Sequence, residues 1–166
     1  MKGVDRLNSE QLATYDSFVR ARERSLLGFG LLLTADHHAA EDLVQGALTS
    51  LYVHWRRVRL PEAEAYARRC MVNANISRWR RVRETAALLP DTSAATDDRV
   101  DQRDQLVRAL AAIGPRQRTA VVLRHYADLS EAETASLMRC SVGTVKSQTA
   151  RGVAALRTAL LLAEQS

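Results

Sequence analysis

The stretch from Leu129 to Leu160, LSEAETASLMRCSVGTVKSQTARGVAALRTAL, leaves this chain few ways to fold. It specifies a short helix, a tight turn and a longer helix. Ser130 is a preferred N-cap, and Glu133 stands three residues on, where its carboxylate can close a capping box. Ala135 offers a close-packing position, and Leu137 and Met138 give the helix an apolar end. Ser141 can cap the second helix. Along that helix Val145, Thr149, Gly152, Val153, Leu156 and Leu160 recur at helical spacing and are expected to face a core. Thr144, Ser147, Gln148 and Arg151 share the opposite face, with Lys146 beside them. Hydrogen-bonding and cationic side chains on the outer face of a second helix suit reading of the DNA major groove. The same spacing also fits an ordinary amphipathic hairpin with a solvated face.

Composition narrows the class. Aromatic residues make up only 5% of the 166, and only three residues are proline, which with abundant Ala, Leu, Val and Arg favours an all-α protein. The formal net charge of +5, carried mainly by arginine, suits a polyanionic partner. Cys70 and Cys140 lie in no metal or redox motif and fit free thiols of a reducing compartment. The longest apolar run, Leu26 to Leu33, is too short to cross a bilayer and is interrupted by Gly28 and Gly30. The first residues lack the apolar core of a signal peptide. The expectation is a cytoplasmic protein with no membrane insertion.

In chain order, residues 1–9 read as a tail, and the spacing predicts a helix from Glu10 to Thr34 carrying Leu12, Tyr15, Phe18, Val19, Leu26, Phe29 and Leu33 on one face. A second helix is expected from Ala39 to about Arg57, with Leu43, Val44, Ala47, Leu48, Leu51, Tyr52 and Trp55 as a continuous stripe. Pro61 opens a third, running to about Glu84. There Val72, Ile76 and Trp79 can pack inward, while Tyr66, Arg69, Asn73, Ser77 and Arg80 share a polar face thickened by Arg78, Arg81 and Arg83. Aromatic residues interleaved with Asn and Arg are what base stacking and phosphate contact require, although an Arg-rich solvated surface has the same spacing. Residues 87–97 then read as a linker, acidic through Asp91 and Asp97 with Asp98 and Asp101 beyond. Two small helical domains are therefore expected, at 10–86 and 98–162. In the second, Gly114-Pro115 separates a helix with Val107, Leu110 and Ile113 from one running from Arg116 to about Ala127.

The run LSEAETASLMRCSVGTVKSQTARGVAALR resembles the helix-turn-helix in region four of bacterial sigma factors, where the second helix reads the promoter −35 element. AEDLVQGALTSLYVHW and AYARRCMVNANISRWRR resemble region two of the extracytoplasmic-function group, the minimal two-domain members of the sigma-70 family. Both regions, in order, account for about residues 10–160. The resemblance implies that Asp42, Leu43 and Gln45 dock on the clamp helices of the largest RNA polymerase subunit. It further implies that Trp55 to Glu62 forms the loop capturing a flipped non-template base, and that Trp55, Arg69, Asn73, Ser77 and Arg80 contact the −10 element. Thr144, Lys146, Ser147, Gln148 and Arg151 then fall on the −35 helix, and the linker runs toward the RNA exit path. The implied partners are polymerase core, including the flap of its second-largest subunit, promoter DNA and an anti-sigma factor of the kind that often restrains this group. No cofactor and no covalent catalysis are implied.

Three positions depart from the family pattern: Gly46 stands where Glu is common, Arg139 where the turn commonly has Gly, and Ser77 in place of a frequent Asp. Competing classes are weaker. The best metal-like set is His37, His38, Glu41 and Asp42, which also reads as a polar helix start. His54 and His125 are isolated, and Ser130 and Ser141 are better caps than nucleophiles. The serious alternative is a conventional helix-turn-helix regulator with a helical dimerisation or effector domain, which would bind its duplex without polymerase.

Overall fold

The computed structural model describes residues 6–86 and 102–165; the expected linker, with Asp91, Asp97, Asp98 and Asp101, lies outside them. No strand occurs among the described residues. Helix α1, Ser9–Thr34, starts one residue earlier than its apolar spacing indicates, because Asn8 supplies a cap. The Asn8 side chain accepts from the Gln11 amide at 2.8 Å and Gln11 returns the bond at 3.1 Å. The helix ends on Ala35, in the left-handed region at φ 52°, whose N–H donates to the Leu31 carbonyl at 2.7 Å.

Asp36 then caps α2, His37–His54, by accepting from the Ala39 amide at 2.7 Å. The cap sets the start two residues before the expected one. At the other end the backbone tightens, with the Arg57 amide donating to His54 at 2.8 Å, so α2 stops three residues short of Arg57. Pro61 sits in a single 3-10 turn, Leu60–Glu62, that leads into α3, Ala63–Ala86. These helices surround a core in which Leu26, Phe29, Leu33, Leu51 and Met71 are almost fully buried. Each such side chain contributes on the order of 2 kcal/mol by leaving water. Gly30 lets the helices close in: a Cβ there would lie 3.1 Å from the Met71 Cε and 3.2 Å from the Ala40 Cβ.

The second half contains α4 (Gln102–Ala111), α5 (Pro115–Val121), α6 (Glu131–Met138) and α7 (Val142–Glu164). Between α5 and α6 the expected continuous helix widens instead into a π turn over Val122–Tyr126, closed by the Ala127 amide on the Val122 carbonyl at 3.0 Å. Thr119 to Leu123 are all buried, so this segment is enclosed on every side. The wider turn brings the chain out to the surface at His125 and Tyr126.

Both halves are helical domains, as expected, but they are not held apart. Ala120, Val122, Leu123 and Met138 join one apolar cluster with Phe29, Met71 and Val72, and Leu110 and Ile113 pack on Ala35.

Candidate nucleic-acid interface

The helix-turn-helix is fixed by its caps. The Ser130 hydroxyl accepts from the Glu133 amide at 3.1 Å, and the Glu133 carboxylate accepts from the Ser130 amide at 2.7 Å. That backbone bond, and the Ser130 hydroxyl after it, hold the Glu133 carboxyl below the usual carboxylate range. Helix α6 ends on Arg139 at φ 51°, ψ 50°, with the Cys140 amide donating back to Ala135 at 3.1 Å. An L-residue with a side chain pays roughly 1–2 kcal/mol for that conformation. The turn adopts it although Gly is absent.

Ser141 caps α7 through the Thr144 amide at 3.1 Å, and Val145 is fully buried beneath the turn. Farther along, Gly152 lies so close to α5 that a Cβ would be 2.6 Å from Val121 Cγ2 and 3.0 Å from the Gln117 carbonyl oxygen. Held at both points, α7 presents Lys146, Ser147 and Arg151 to solvent, with Thr144 and Gln148 half-buried. The Ser147 hydroxyl donates to the Thr144 carbonyl at 3.0 Å, which leaves its lone pairs for an outside donor. Lys146 Nζ rests 3.6 Å from Glu131 Oε2, an exposed pair that a phosphate can displace.

On α3 the predicted polar face is present, with Arg69, Asn73 and Ser77 exposed. Arg80 is half-buried, its guanidinium carbon 5.7 Å from the Trp79 ring centroid. Tyr66 is drawn away from that face: its hydroxyl lies 3.1 Å from Ser50 Oγ.

Trp55 lies in the core rather than on the polar face. It is only 8% exposed, its Nε1 donates to Thr14 Oγ1 at 3.3 Å, and its ring packs edge-on against Tyr15 at 5.3 Å. It belongs to the core stripe. The loop that follows does border open space, a groove of about 520 Å³ with Thr14, Ser17, Arg22, Leu60 and Pro61 on its walls.

On α2, Asp42 and Gln45 are exposed, whereas Leu43 is 5% exposed and faces the core. Its place in the apolar stripe puts Leu43 beneath the surface that Asp42 and Gln45 share. His38 Nδ1 comes no closer than 3.9 Å to Glu41, and both side chains are solvated. Among the described residues no group of three or more His, Cys, Asp or Glu side chains converges on a point, and no helix is long and apolar enough to cross a membrane.

Several contacts that sequence reasoning passed over join the two halves. Asn75 donates to Thr119 Oγ1 at 3.4 Å in a buried setting, and Phe29 stacks on Tyr126 with centroids 5.9 Å apart. Arg68 lies over both rings, at 5.1 and 5.9 Å, while its Nη2 pairs with Glu64 at 2.9 Å. Asn75 had a signal: it interrupts the apolar stripe of Val72, Ile76 and Trp79. Arg118, partly buried against the Leu110 carbonyl, had none in the local pattern.

The architecture defines a two-domain helical protein with a helix-turn-helix at its C-terminal side and a second Asn- and Arg-bearing helix in its first half. Residues 18–85 match the family described as sigma-70 region 2, and residues 103–156 match sigma-70 region 4. The RNA polymerase sigma-E factor of Streptomyces avermitilis is 38% identical over 159 residues, covering 90% of this chain and 87% of that protein. Its counterpart in Streptomyces coelicolor is 35% identical over 156 residues, covering 91% and 88%. The ECF RNA polymerase sigma factor SigM of Mycobacterium tuberculosis (strain Erdman) is 30% identical over 164 residues, covering 92% and 84%. Among solved structures, the sigma factor RpoE of Bartonella quintana, crystallised with the anti-sigma factor NepR, superposes with a TM-score of 0.64. It shares 21% identity over 89% of this chain and 96% of that one, a likeness of fold. The chain belongs to the sigma-70 family, in its extracytoplasmic-function group, and is an alternative sigma factor of RNA polymerase. The conventional helix-turn-helix regulator is not favoured, because the first half matches region 2.

Proposed function

We propose that this sigma factor divides its work between three surfaces. The exposed side of α2, with Asp42 and Gln45, docks on the clamp helices of polymerase core, and region 4 meets the flap. On α7, Lys146, Ser147 and Arg151, flanked by Thr144 and Gln148, read the −35 element. On α3, Arg69, Asn73, Ser77 and Arg80 hold the −10 element as it opens, and the groove beside Leu60 and Pro61 receives an unstacked base. Capturing that base offsets an unstacking cost of a few kcal/mol. The chain makes and breaks no covalent bond; the polymerase does that.

The observation that carries this reading is the solvent-facing cationic row on α7, rigidly set by the Ser141 cap and the Gly152 contact. The test is run-off transcription with purified core enzyme on promoters with an intact or a scrambled −35 element. Lys146→Ala with Arg151→Ala should lower transcription from the intact promoter while core binding persists, each lost contact being worth about 1–3 kcal/mol. Equal output from the double variant and the wild type on the intact promoter refutes the assignment.

A further inference from the structure

We propose that Arg78 and Arg80 of α3, with Arg116 and Arg118 of α5, gather around Trp79 as a binding site for a small oligophosphate. The chemistry is that of free polyphosphate or of the phosphate tail of a nucleotide. The guanidinium carbons of Arg116 and Arg80 lie 5.4 and 5.7 Å from the Trp79 ring centroid, so cations from both elements share one indole. Arg118 lies in the field of Arg78: burial first, and after it the Arg78 charge, lower its pKa to about 10. Cations from two separate helices thus converge on one spot. Only Arg80 is shared with the −10 surface proposed above.

Elsewhere in the protein such cations have carboxylates. Glu64 takes Arg22 at 3.4 Å and Arg68 at 2.9 Å, and Glu131 takes Lys146 at 3.6 Å. Among the described residues no carboxylate pairs with Arg78, Arg80, Arg116 or Arg118. Their hydrogen bonding is incomplete as well. Arg118 Nη1 donates to the Leu110 carbonyl at 3.2 Å, but Arg118 Nε and Trp79 Nε1 are buried with no acceptor. A charge taken out of water with neither counter-ion nor full hydrogen bonding is costly, and an anion supplied from outside offsets that cost. Arg78 and Arg116 are exposed and make the rim, with Trp79, Arg80 and Arg118 half-buried behind them. Each guanidinium is a planar fork that takes phosphate oxygens two at a time. A lone phosphate cannot serve this many forks at once, whereas a run of two or three can. A nucleic-acid backbone spreads its charge along an open surface, which a half-buried floor does not offer.

Calorimetric titration of the full chain with inorganic triphosphate tests the site. One anion should bind per chain, with half-saturation below about 1 mM at ~0.15 M salt. Arg78→Gln and Arg116→Gln alter exposed side chains that hold no carboxylate, so the fold should survive. Each should weaken binding by about tenfold. Arg24→Gln, at an exposed arginine of α1, should change nothing. Orthophosphate should bind at least about tenfold more weakly than triphosphate. ATP in the same titration identifies the source: tighter binding than triphosphate assigns a nucleotide, and equal or weaker binding assigns a bare phosphate chain. A flat titration overturns the proposal, as does binding indifferent to Arg78 and Arg116. So does orthophosphate, or a short oligothymidylate of equal charge, binding as tightly as triphosphate. The proposal also falls if triphosphate binds only to the Asp91→Asn, Asp97→Asn, Asp98→Asn, Asp101→Asn variant, because the chain then fills the site itself.

Discussion

Two glycines in long helices should respond oppositely to the same substitution. Gly46 lies exposed in the middle of α2, and a Cβ there meets no heavy atom within 4 Å. Gly46→Ala should therefore recover the helix propensity difference, about 1 kcal/mol of added stability. Gly152 in α7 has the same propensity to gain, but its Cβ would sit 2.6 Å from Val121 Cγ2 and 3.0 Å from the Gln117 carbonyl oxygen. Val121 can rotate; the carbonyl belongs to α5 and moves only with the helix. Overpacking of this kind costs about 1–3 kcal/mol. One of the two clashes is with backbone, so the upper figure applies; less the propensity gain of about 1 kcal/mol, Gly152→Ala should destabilise by about 2 kcal/mol, and a chain this size shifts its melting temperature by about 2–4 °C per kcal/mol. Urea and thermal unfolding of the full chain, followed by helical circular dichroism, measure both. Because α7 must swing away from α5 to admit the methyl, Gly152→Ala should also weaken −35-dependent transcription more than core binding. A Gly152→Ala protein as stable as wild type, or a Gly46→Ala protein less stable, refutes the packing argument.

Other consequences are simpler. Asn73→Ala should impair opening of the −10 region more than recruitment, read as reduced permanganate reactivity of promoter thymines; unchanged footprints count against the role of α3. Trp55→Ala should cost about 3–5 kcal/mol of stability, as a buried aromatic does, whereas a base-stacking Trp would leave the melting temperature untouched. Glu133 has its carboxyl pKa lowered by the Ser130 amide. Its contribution to stability is present above the ordinary carboxylate range and fades as pH falls through the lowered value. Glu133→Gln keeps an acceptor without the charge, so its stability deficit relative to wild type at neutral pH should shrink in acid; a constant deficit argues against the box.

The helix-turn-helix was legible because its determinants are local. Ser130, Glu133 and Ser141 act within one turn of where they stand, and periodicity alone finds Val145 and Gly152. The same locality explains the helix ends that shifted: Asn8 and Asp36 are caps whose pull exceeds that of the first apolar residue. The π turn after α5 was not legible, since an enclosed run from Thr119 to Leu123 is set by what surrounds it. Nor was the packing of the halves, which depends on pairs as distant as Phe29 with Tyr126 and Asn75 with Thr119.

Leu43 and Trp55 are buried for one reason, and it bears on how such surfaces work. Each continues the buried stripe of α2, so a position that a family motif associates with binding is expected to act through its neighbours. Leu43, held in the core, fixes the helical phase that turns Asp42 and Gln45 outward on either side of it. Trp55, pinned by its bond to Thr14 and by Tyr15 and Phe18, anchors the point where α2 gives way to the loop carrying Leu60 and Pro61. Loss of either side chain should thus weaken binding only by loosening what stands next to it. That predicts a dependence on temperature that substitutions at Asp42 or Asn73, exposed and free of packing, would not share.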